Sequence, residues 1–174
     1  MSDLICELVK EDDPFLREVP NVFDFDSPQV DPEKLEKQLL ENMIYHNGYG
    51  LSANQIGIPL TVFAMMVDHD PLVVFNPEII EFSEETTYMK EGCLSYPGLY
   101  VAIERAYGIS TRFQLSEGEE QSGNFIELSA RIFQHESEHM DGDIFIDNVS
   151  GYRLKAAMRK RKSILRQLKK QKKG

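Results

Sequence analysis

A five-residue pattern, His-Glu-Ser-Glu-His at positions 135–139, constrains more than any other feature how this chain can fold. Positions i and i+4 of an α-helix share one face, so His135 and His139 can bind one metal ion if the segment is helical. Glu136 would then lie beside the ion as a general base. Two imidazoles do not make a tight site, because a catalytic centre of this kind needs a third protein ligand and one open position. The fold must therefore bring a distant segment onto this helix.

The third ligand has to come from upstream, because no His, Cys or Glu follows His139. Apart from carboxylates, the upstream candidates are Cys6, Cys93, His46 and His69. Of these, only Cys93 lies in a segment that looks built for a site, Glu-Gly-Cys-Leu-Ser at positions 91–95. Thiolate and imidazole ligands suit zinc or ferrous iron. The residues therefore predict a centre of one Cys thiolate, two His and a water.

Length and composition indicate one soluble globular domain. The chain has 174 residues, of which 41% are hydrophobic and 28% charged, and this length is enough to bury a core. No apolar run approaches the roughly 18 residues that a membrane span requires. The acidic N-terminus resembles neither a secretory signal nor a transit peptide. With Cys93 needed as a thiolate, we expect a reducing, cytoplasmic compartment.

Charge is distributed unevenly between the body and the C-terminal end. Residues 1–150 carry 29 acidic and 8 basic residues, whereas residues 151–174 carry 11 basic residues and no acidic ones. We therefore divide the chain into a catalytic part, 1–150, and a basic amphipathic helix, 151–174, that belongs to the same domain. A basic end on an acidic body suggests an anionic partner.

Local patterns predict an α+β fold. Asp31-Pro32 begins a helix that should end near Asn47-Gly48. The predicted strands are 60–67, 72–75, 78–82 and 107–115, followed by a turn at 116–123. The predicted metal-bearing helix is 125–140, and an amphipathic helix begins near Tyr152 with Leu154, Met158, Leu165 and Leu168 on its apolar side. Strands bracketed by helices, without βαβ alternation, favour mainly antiparallel sheets.

Three motifs in order resemble those of peptide deformylases. They are Gly-Tyr-Gly-Leu-Ser-Ala-Asn-Gln at 48–55 (counted from the first Gly), Glu-Gly-Cys-Leu-Ser at 91–95, and Gln-His-Glu-Ser-Glu-His at 134–139. Each motif alone is weak or moderate evidence, but the ordered trio is highly specific, and the chain has the family's length. The resemblance implies antiparallel sheets around a central metal-bearing helix, with a helix at the C-terminus.

The resemblance also implies a substrate, a metal and residue roles. The substrate would be a nascent N-formyl-methionyl peptide, and the metal ferrous iron, with zinc, nickel or cobalt able to substitute. Gln55 and the backbone N–H of Leu94 would stabilise the oxyanion, and Gly50 would bind the peptide backbone. Glu91 would be buried, and Arg105 is our candidate for its cationic partner. Residues beside the motifs that could line a methionine pocket, or equally belong to the core, are Tyr49, Met89, Leu128 and Ile132.

The chain departs from the family pattern at three positions. Ser52 stands where Ala is usual, Glu138 where Asp is usual, and Ser137 where a larger apolar residue is common. None of these changes removes a ligand, the base or an oxyanion donor. Glu138 adds a methylene to a carboxylate next to the site, which could retune a ligand His or a nearby Arg.

Two other functions were weighed. A zincin-type endopeptidase would need a third ligand at position 145, which is Phe145. A ribosome- or RNA-binding module with a structural metal would use the basic end, but an intact base and an open coordination position argue against it. The resemblance implies that the C-terminal helix binds the ribosome or its RNA. We expect a monomer that binds neither DNA nor a membrane.

Overall fold

The structure is a computed structural model that describes residues 4–171, without the side chains of residues 168, 169 and 171, and the helices, strands and sheets given below are those of this range. Three α-helices are present: α1 (Pro32–Tyr45), α2 (Glu127–Met140) and α3 (Gly151–Gln171). Seven strands are present: β1 (Gly50–Ser52), β2 (Val62–Val67), β3 (Asp70–Phe82), β4 (Thr86–Gly92), β5 (Tyr100–Ala106), β6 (Gly108–Gln114) and β7 (Glu120–Ile126). Two short 3₁₀ helices, Pro14–Arg17 and Ala53–Ile56, complete the regular structure.

The strands form two sheets in which every strand pair is antiparallel. A five-stranded sheet has the order β1-β2-β3-β6-β7, and β4 and β5 form a separate two-stranded sheet. The α+β class with antiparallel sheets and a C-terminal helix is therefore confirmed. None of the helices over residues 4–171 is long and apolar enough to cross a membrane.

The large sheet separates two hydrophobic clusters, which is why α2 is central. Side chains alternate between the faces of a strand. On β2, Val62 and Ala64 pack with the buried face of α1, whereas Phe63 and Met65 pack with α2. The metal-bearing helix is thus seated by its apolar side on the sheet, as we expected from the sequence.

Helix α1 begins as the sequence predicts. The Asp31 carboxylate accepts a hydrogen bond from the Lys34 N–H at 3.1 Å, and Pro32 occupies the first turn. The chain leaves the helix through Asn47, whose φ of 56° is left-handed. This exit directs the following residues, Gly48 to Gln55, toward α2.

The structure corrects two predicted boundaries and adds four strands for which the sequence predicted no range, β1, β4, β5 and β7. Residues 72–75 and 78–82 belong to one strand, β3, with an irregular register around Asn76 rather than a break. The Asn76 side chain exchanges hydrogen bonds with the backbone of Phe23, which accommodates the irregularity. Residues 120–126 are strand β7, so the helix begins at Glu127 and not at 125. The sequence did not predict the β4–β5 sheet.

Helix α3 docks through a face that includes the predicted Leu154 and Leu165 but is centred on Ala157 and Arg161. Ala157 is buried, Arg161 donates to the Glu11 carboxylate and to the Pro97 carbonyl, and Leu165 approaches Gly98. Met158, predicted for the apolar side, is 41% exposed. The predicted Leu168 lies outside the described side chains. The charge of Arg161 can be buried in this interface because the Glu11 carboxylate neutralises it.

Candidate metal centre

Three side chains from two distant segments meet beside α2. Cys93 directly follows β4, whereas His135 and His139 lie one turn apart on α2. One ligand atom from each lies within 4.8 Å of the other two, and all three residues are buried. This is the set of ligands predicted from the sequence.

The two imidazoles are oriented differently. His135 Nδ1 lies 3.1 Å from the Glu91 carboxylate, which leaves Nε2 of His135 for a metal. His139 Nε2 lies 3.4 Å from Cys93 Sγ. A thiolate and two imidazoles fit a divalent ion such as zinc or ferrous iron, so the residues present fit the metal that the motifs imply.

The pKa values of the two imidazoles move in opposite directions. Burial lowers the pKa of His139 to about 3, which keeps this ring in the neutral form that binds metals. Burial also acts to lower the pKa of His135, but hydrogen bonds to Cys93 and Glu91 outweigh it and raise the pKa to about 10. Because a His ligand binds a metal in its neutral form, a proton and a metal ion would compete for this ring.

Glu136 is a buried carboxylate aimed at the backbone of Gly50. Burial raises the pKa of Glu136 to about 7, and its Oε2 has no hydrogen-bond partner among the residues described. A Cβ at position 50 would lie 2.3 Å from Glu136 Oε1. Gly50 is therefore required for the backbone to approach the carboxylate. A base with a pKa near neutrality is suited to proton transfer at physiological pH.

Gln55 presents its amide N–H groups to the ligands. Its Oε1 accepts a hydrogen bond from the Ser52 backbone N–H at 3.0 Å, so Nε2 faces Cys93 Sγ at 3.2 Å and Ser95 Oγ at 3.2 Å. Ser52, the departure from the family's Ala, is fully buried. Its hydroxyl lies 2.7 Å from Asn54 Oδ1 and 3.1 Å from Gln55 Oε1.

A cavity opens onto Cys93 and His135 and contains the other predicted site residues, whereas His139 lies behind its wall. Leu94 lines it, as do Gly50, Gln55, Glu91 and the four candidates for the methionine pocket. Those four candidates do not occupy equivalent places. Ile132 is 7% exposed and forms part of the wall, whereas Leu128 (45%), Met89 (41%) and Tyr49 (67%) lie toward the rim.

A buried network of charges surrounds Glu91. Arg105 donates to both Glu91 oxygens at 2.6 and 2.9 Å, as we predicted, and also to both oxygens of Glu138 at 2.7 and 2.9 Å. Burial alone would raise the pKa of Glu91, but hydrogen bonds from His135 and Arg105 outweigh it and lower the pKa to about 2. The carboxylate that orients His135 is thus kept ionised.

Sequence reasoning missed one member of this network, Arg131. Its Nη1 lies 2.5 Å from Glu91 Oε1. The available signal was its position four residues before His135, which places both side chains on one face of α2.

Known proteins similar to this chain are peptide deformylases. A sequence profile of the polypeptide deformylase family matches residues 5–155. The chain is 42% identical over 118 residues to a peptide deformylase of Thermotoga petrophila, covering 68% of this chain and 72% of that one. It is 38% identical over 162 residues to that of Bartonella tribocorum, covering 88% and 89%.

Solved structures of the same kind share its fold. The crystal structure of the Thermotoga maritima peptide deformylase superimposes with a TM-score of 0.79 at 35% identity, covering 84% of this chain and 98% of that one. The Synechococcus elongatus peptide deformylase, solved in complex with actinonin, gives a TM-score of 0.84 at 28% identity, covering 92% and 88%.

Proposed function

The chain belongs to the polypeptide deformylase family and is an enzyme that removes the formyl group from newly made polypeptides, and we propose that Cys93, His135 and His139 hold its catalytic metal. One observation carries this assignment: the three ligand atoms lie within 4.8 Å of one another, next to a carboxylate, Glu136, that burial brings to a pKa of about 7. We propose that the native ion is ferrous iron.

The roles of the surrounding residues follow from where they lie. The metal, when bound, supplies Lewis acidity, which polarises a carbonyl and lowers the pKa of water. Glu136 accepts the proton of the attacking water and delivers it to the leaving amine nitrogen, so that formate and a free amino terminus result. The Gln55 amide and the Leu94 N–H donate to the oxyanion of the tetrahedral intermediate.

The cavity gives the substrate two kinds of contact. Gly50, at the start of β1, lies against the Glu136 carboxylate. A substrate peptide backbone that pairs with β1 at this residue would therefore reach the base. Met89, Leu128 and Ile132 supply apolar surface for the methionine side chain, with Tyr49 at the rim and Glu91 at the charged end. The substrate is the N-formyl-methionyl end of a nascent peptide.

An assay with three readouts tests this function. Formate release from formyl-Met-Ala, casein cleavage and metal content are measured for wild type, C93A and C6A. We expect wild type to release formate, leave casein intact and carry one metal ion. C93A should lose metal and activity, whereas C6A, which replaces the other cysteine, should keep both. Casein cleavage without formate release would favour the endopeptidase, which is disfavoured because Phe145 at the third ligand position is a buried core residue.

We further propose that the enzyme is a cytoplasmic monomer that meets its substrate at the ribosome through α3. The support is the charge of this helix, which exposes four basic residues: Arg159, Lys160, Lys162 and Arg166. Arg161, in contrast, is buried where α3 packs on the rest of the protein. Exposed cations on one helix provide the electrostatic attraction that RNA phosphates require.

A further inference from the structure

Arg131 joins the helix that carries both His ligands to both strands of the small sheet. It is 3% exposed and lies one turn before His135 on α2. Its Nη1 donates to Glu91 Oε1 on β4 at 2.5 Å and to the Ile103 carbonyl on β5 at 3.1 Å. Its Nη2 donates to the Thr87 carbonyl at 2.7 Å and to the Thr87 hydroxyl at 3.1 Å. One planar guanidinium thus binds three residues on two strands.

This link matters because the metal ligands stand on two separate bodies. His135 and His139 are fixed on α2, which packs on the large sheet, whereas Cys93 directly follows the last residue of β4 in the small sheet. Over residues 4–171 the two sheets share no strand pairing. The distance from the thiolate to the imidazoles therefore depends on how the small sheet is seated against α2.

The chemistry of Arg131 is difficult to explain by stability alone. Its Nε has no hydrogen-bond partner in the described part of the chain and is buried. A buried N–H without a partner costs free energy, and a buried ion pair is often no more stabilising than well-packed apolar side chains. A guanidinium can fix the relative position of two elements, because its donors are held in a rigid plane. An apolar side chain cannot do this.

Charge balance supports the same reading. Glu91 and Glu138 contribute two negative charges to the network, and Arg105 and Arg131 contribute two positive ones. Arg105 reaches from β5 to α2, whereas Arg131 reaches from α2 to β4 and β5. One arginine therefore extends from the small sheet to α2 and the other from α2 to the small sheet, and their contacts on α2 lie before and after His135.

We propose that Arg131 is a positioning residue of the metal centre, which seats the β4–β5 sheet on α2 so that the Cys93 thiolate meets the two imidazoles. Arg131 acts through Glu91 and the strand backbones and is not itself a ligand of the metal, although it also lines the cavity. The inference rests on the proposed function, because it assumes that these three side chains bind the ion.

The test compares metal binding by R131M, R131K and wild type, with R112M as a matched control. Arg112 also joins two elements, through its ion pair with Glu78 across β3 and β6, but this pair is exposed and is not part of the Glu91 network. Zn²⁺ affinity is measured by competition with a chelator. The thiolate-to-metal charge-transfer absorption band of the Co²⁺-loaded proteins is also recorded. Thermal unfolding of the metal-free proteins reports stability separately.

We expect R131M to bind Zn²⁺ about 10–100-fold more weakly, the range for groups that orient metal ligands, and to show an altered Co²⁺ spectrum. R131K should lose less affinity than R131M because it keeps the positive charge, but it should not match wild type because one ammonium cannot reach all three partners. R112M should match wild type. Wild-type affinity and spectrum in folded R131M would overturn the inference, and if R131M does not fold, the same result in R131K would do so. A wild-type protein that binds no metal at all would instead overturn the proposed function.

Discussion

The chemistry of the centre depends on single side chains whose surroundings change their ordinary behaviour. Burial keeps His139 neutral and brings the pKa of Glu136 to about 7, whereas hydrogen bonds keep Glu91 ionised with a pKa of about 2. These residues lie within one small region of the protein. Two carboxylates of the same type are therefore suited to different purposes, one to exchanging protons and the other to orienting the imidazole of His135.

Replacing the base should separate metal binding from turnover. E136Q keeps the shape of the side chain but cannot accept a proton, so we expect normal metal content and a fall in turnover of about 10²–10⁴-fold. Formate release and metal content are measured on the same preparation. E127Q at the exposed start of α2 is the control. Near-normal turnover by E136Q would show that another group is the base.

The oxyanion donor should contribute to turnover without affecting the metal. Q55A removes the amide that faces Cys93 and Ser95, and we expect turnover to fall about 10²–10³-fold, the scale for a single donor. Steady-state kinetics on formyl-Met-Ala measures the loss, with Q121A on β7 as the matched control. A change confined to KM would assign Gln55 to substrate binding instead.

The pH profile should report Glu136. A carboxylate must be deprotonated to act as a base, so kcat/KM should fall as pH drops through its pKa. Burial places that pKa at about 7, and a metal cation beside the carboxylate favours the charged form and lowers it. We therefore expect the midpoint of the acidic limb of kcat/KM to lie between the ordinary value of 4.5 and 7. A limb at or below the ordinary value would contradict the effect of burial.

At the scale of elements, α3 presents two faces with different tasks. One face, with Ala157, Arg161 and Leu165, docks on the body. The remaining surface carries exposed basic residues beside Met158. Because Arg161 belongs to the dock, shortening the helix from residue 160 would disturb the fold as well as remove charge, so side-chain substitutions are the better probe.

Neutralising the exposed face of α3 should weaken ribosome binding alone. The variant R159Q/K160Q/K162Q/R166Q is compared with K10Q/K34Q/K37Q/R112Q, which removes the same charge from the body. Each phosphate contact contributes roughly 0.9 to the slope of log affinity against log salt. We expect the helix variant to co-sediment less with ribosomes, with a slope shallower by up to about 4, and to retain activity on formyl-Met-Ala. Equal co-sedimentation of both variants and wild type at low salt would reduce α3 to a solvated helix.

At the scale of the whole molecule, the proposed metal would join two parts of the fold. The large sheet with α2 supplies two ligands, and the small sheet, which packs with α3, supplies the third. A ligand that binds only the native state stabilises it by mass action. The metal should therefore be a structural link as well as the source of catalysis.

Removing the metal should lower thermal stability. A free metal concentration about 1,000 times the Kd stabilises the native state by about 4 kcal/mol, and each kcal/mol shifts Tm by about 2–4 °C in a protein of this size. We expect a chelator to lower the wild-type Tm by about 8–16 °C and to leave C93A unchanged. Calorimetry with and without chelator measures this. If the chelator leaves the wild-type Tm unchanged, the native state does not hold a tightly bound metal ion.

The sequence by itself determined the fold class and was enough to predict the three candidate ligands and the candidate base. His135, Glu136 and His139 lie within one helical turn, so local spacing is enough to place them on one face. The capped start of α1 and the position of α2 follow from the same local rules. Cys93 could be chosen because so few other ligands were available upstream.

Only the tertiary structure decided how distant segments meet. The β4–β5 sheet was missed because β4 is mostly exposed and because buried arginines, Arg105 and Arg131, join the sheet to α2. Neither feature leaves a periodic apolar signal in the sequence. The start of α2 was placed too early because residues 120–126 are mostly polar and show no clear apolar alternation. They form a strand only by pairing with β6. The docking face of α3 was predicted only in part because a charged residue, Arg161, is buried there against Glu11. Local periodicity records which side chains share a face, whereas a buried charge is stable only when the fold supplies its partner.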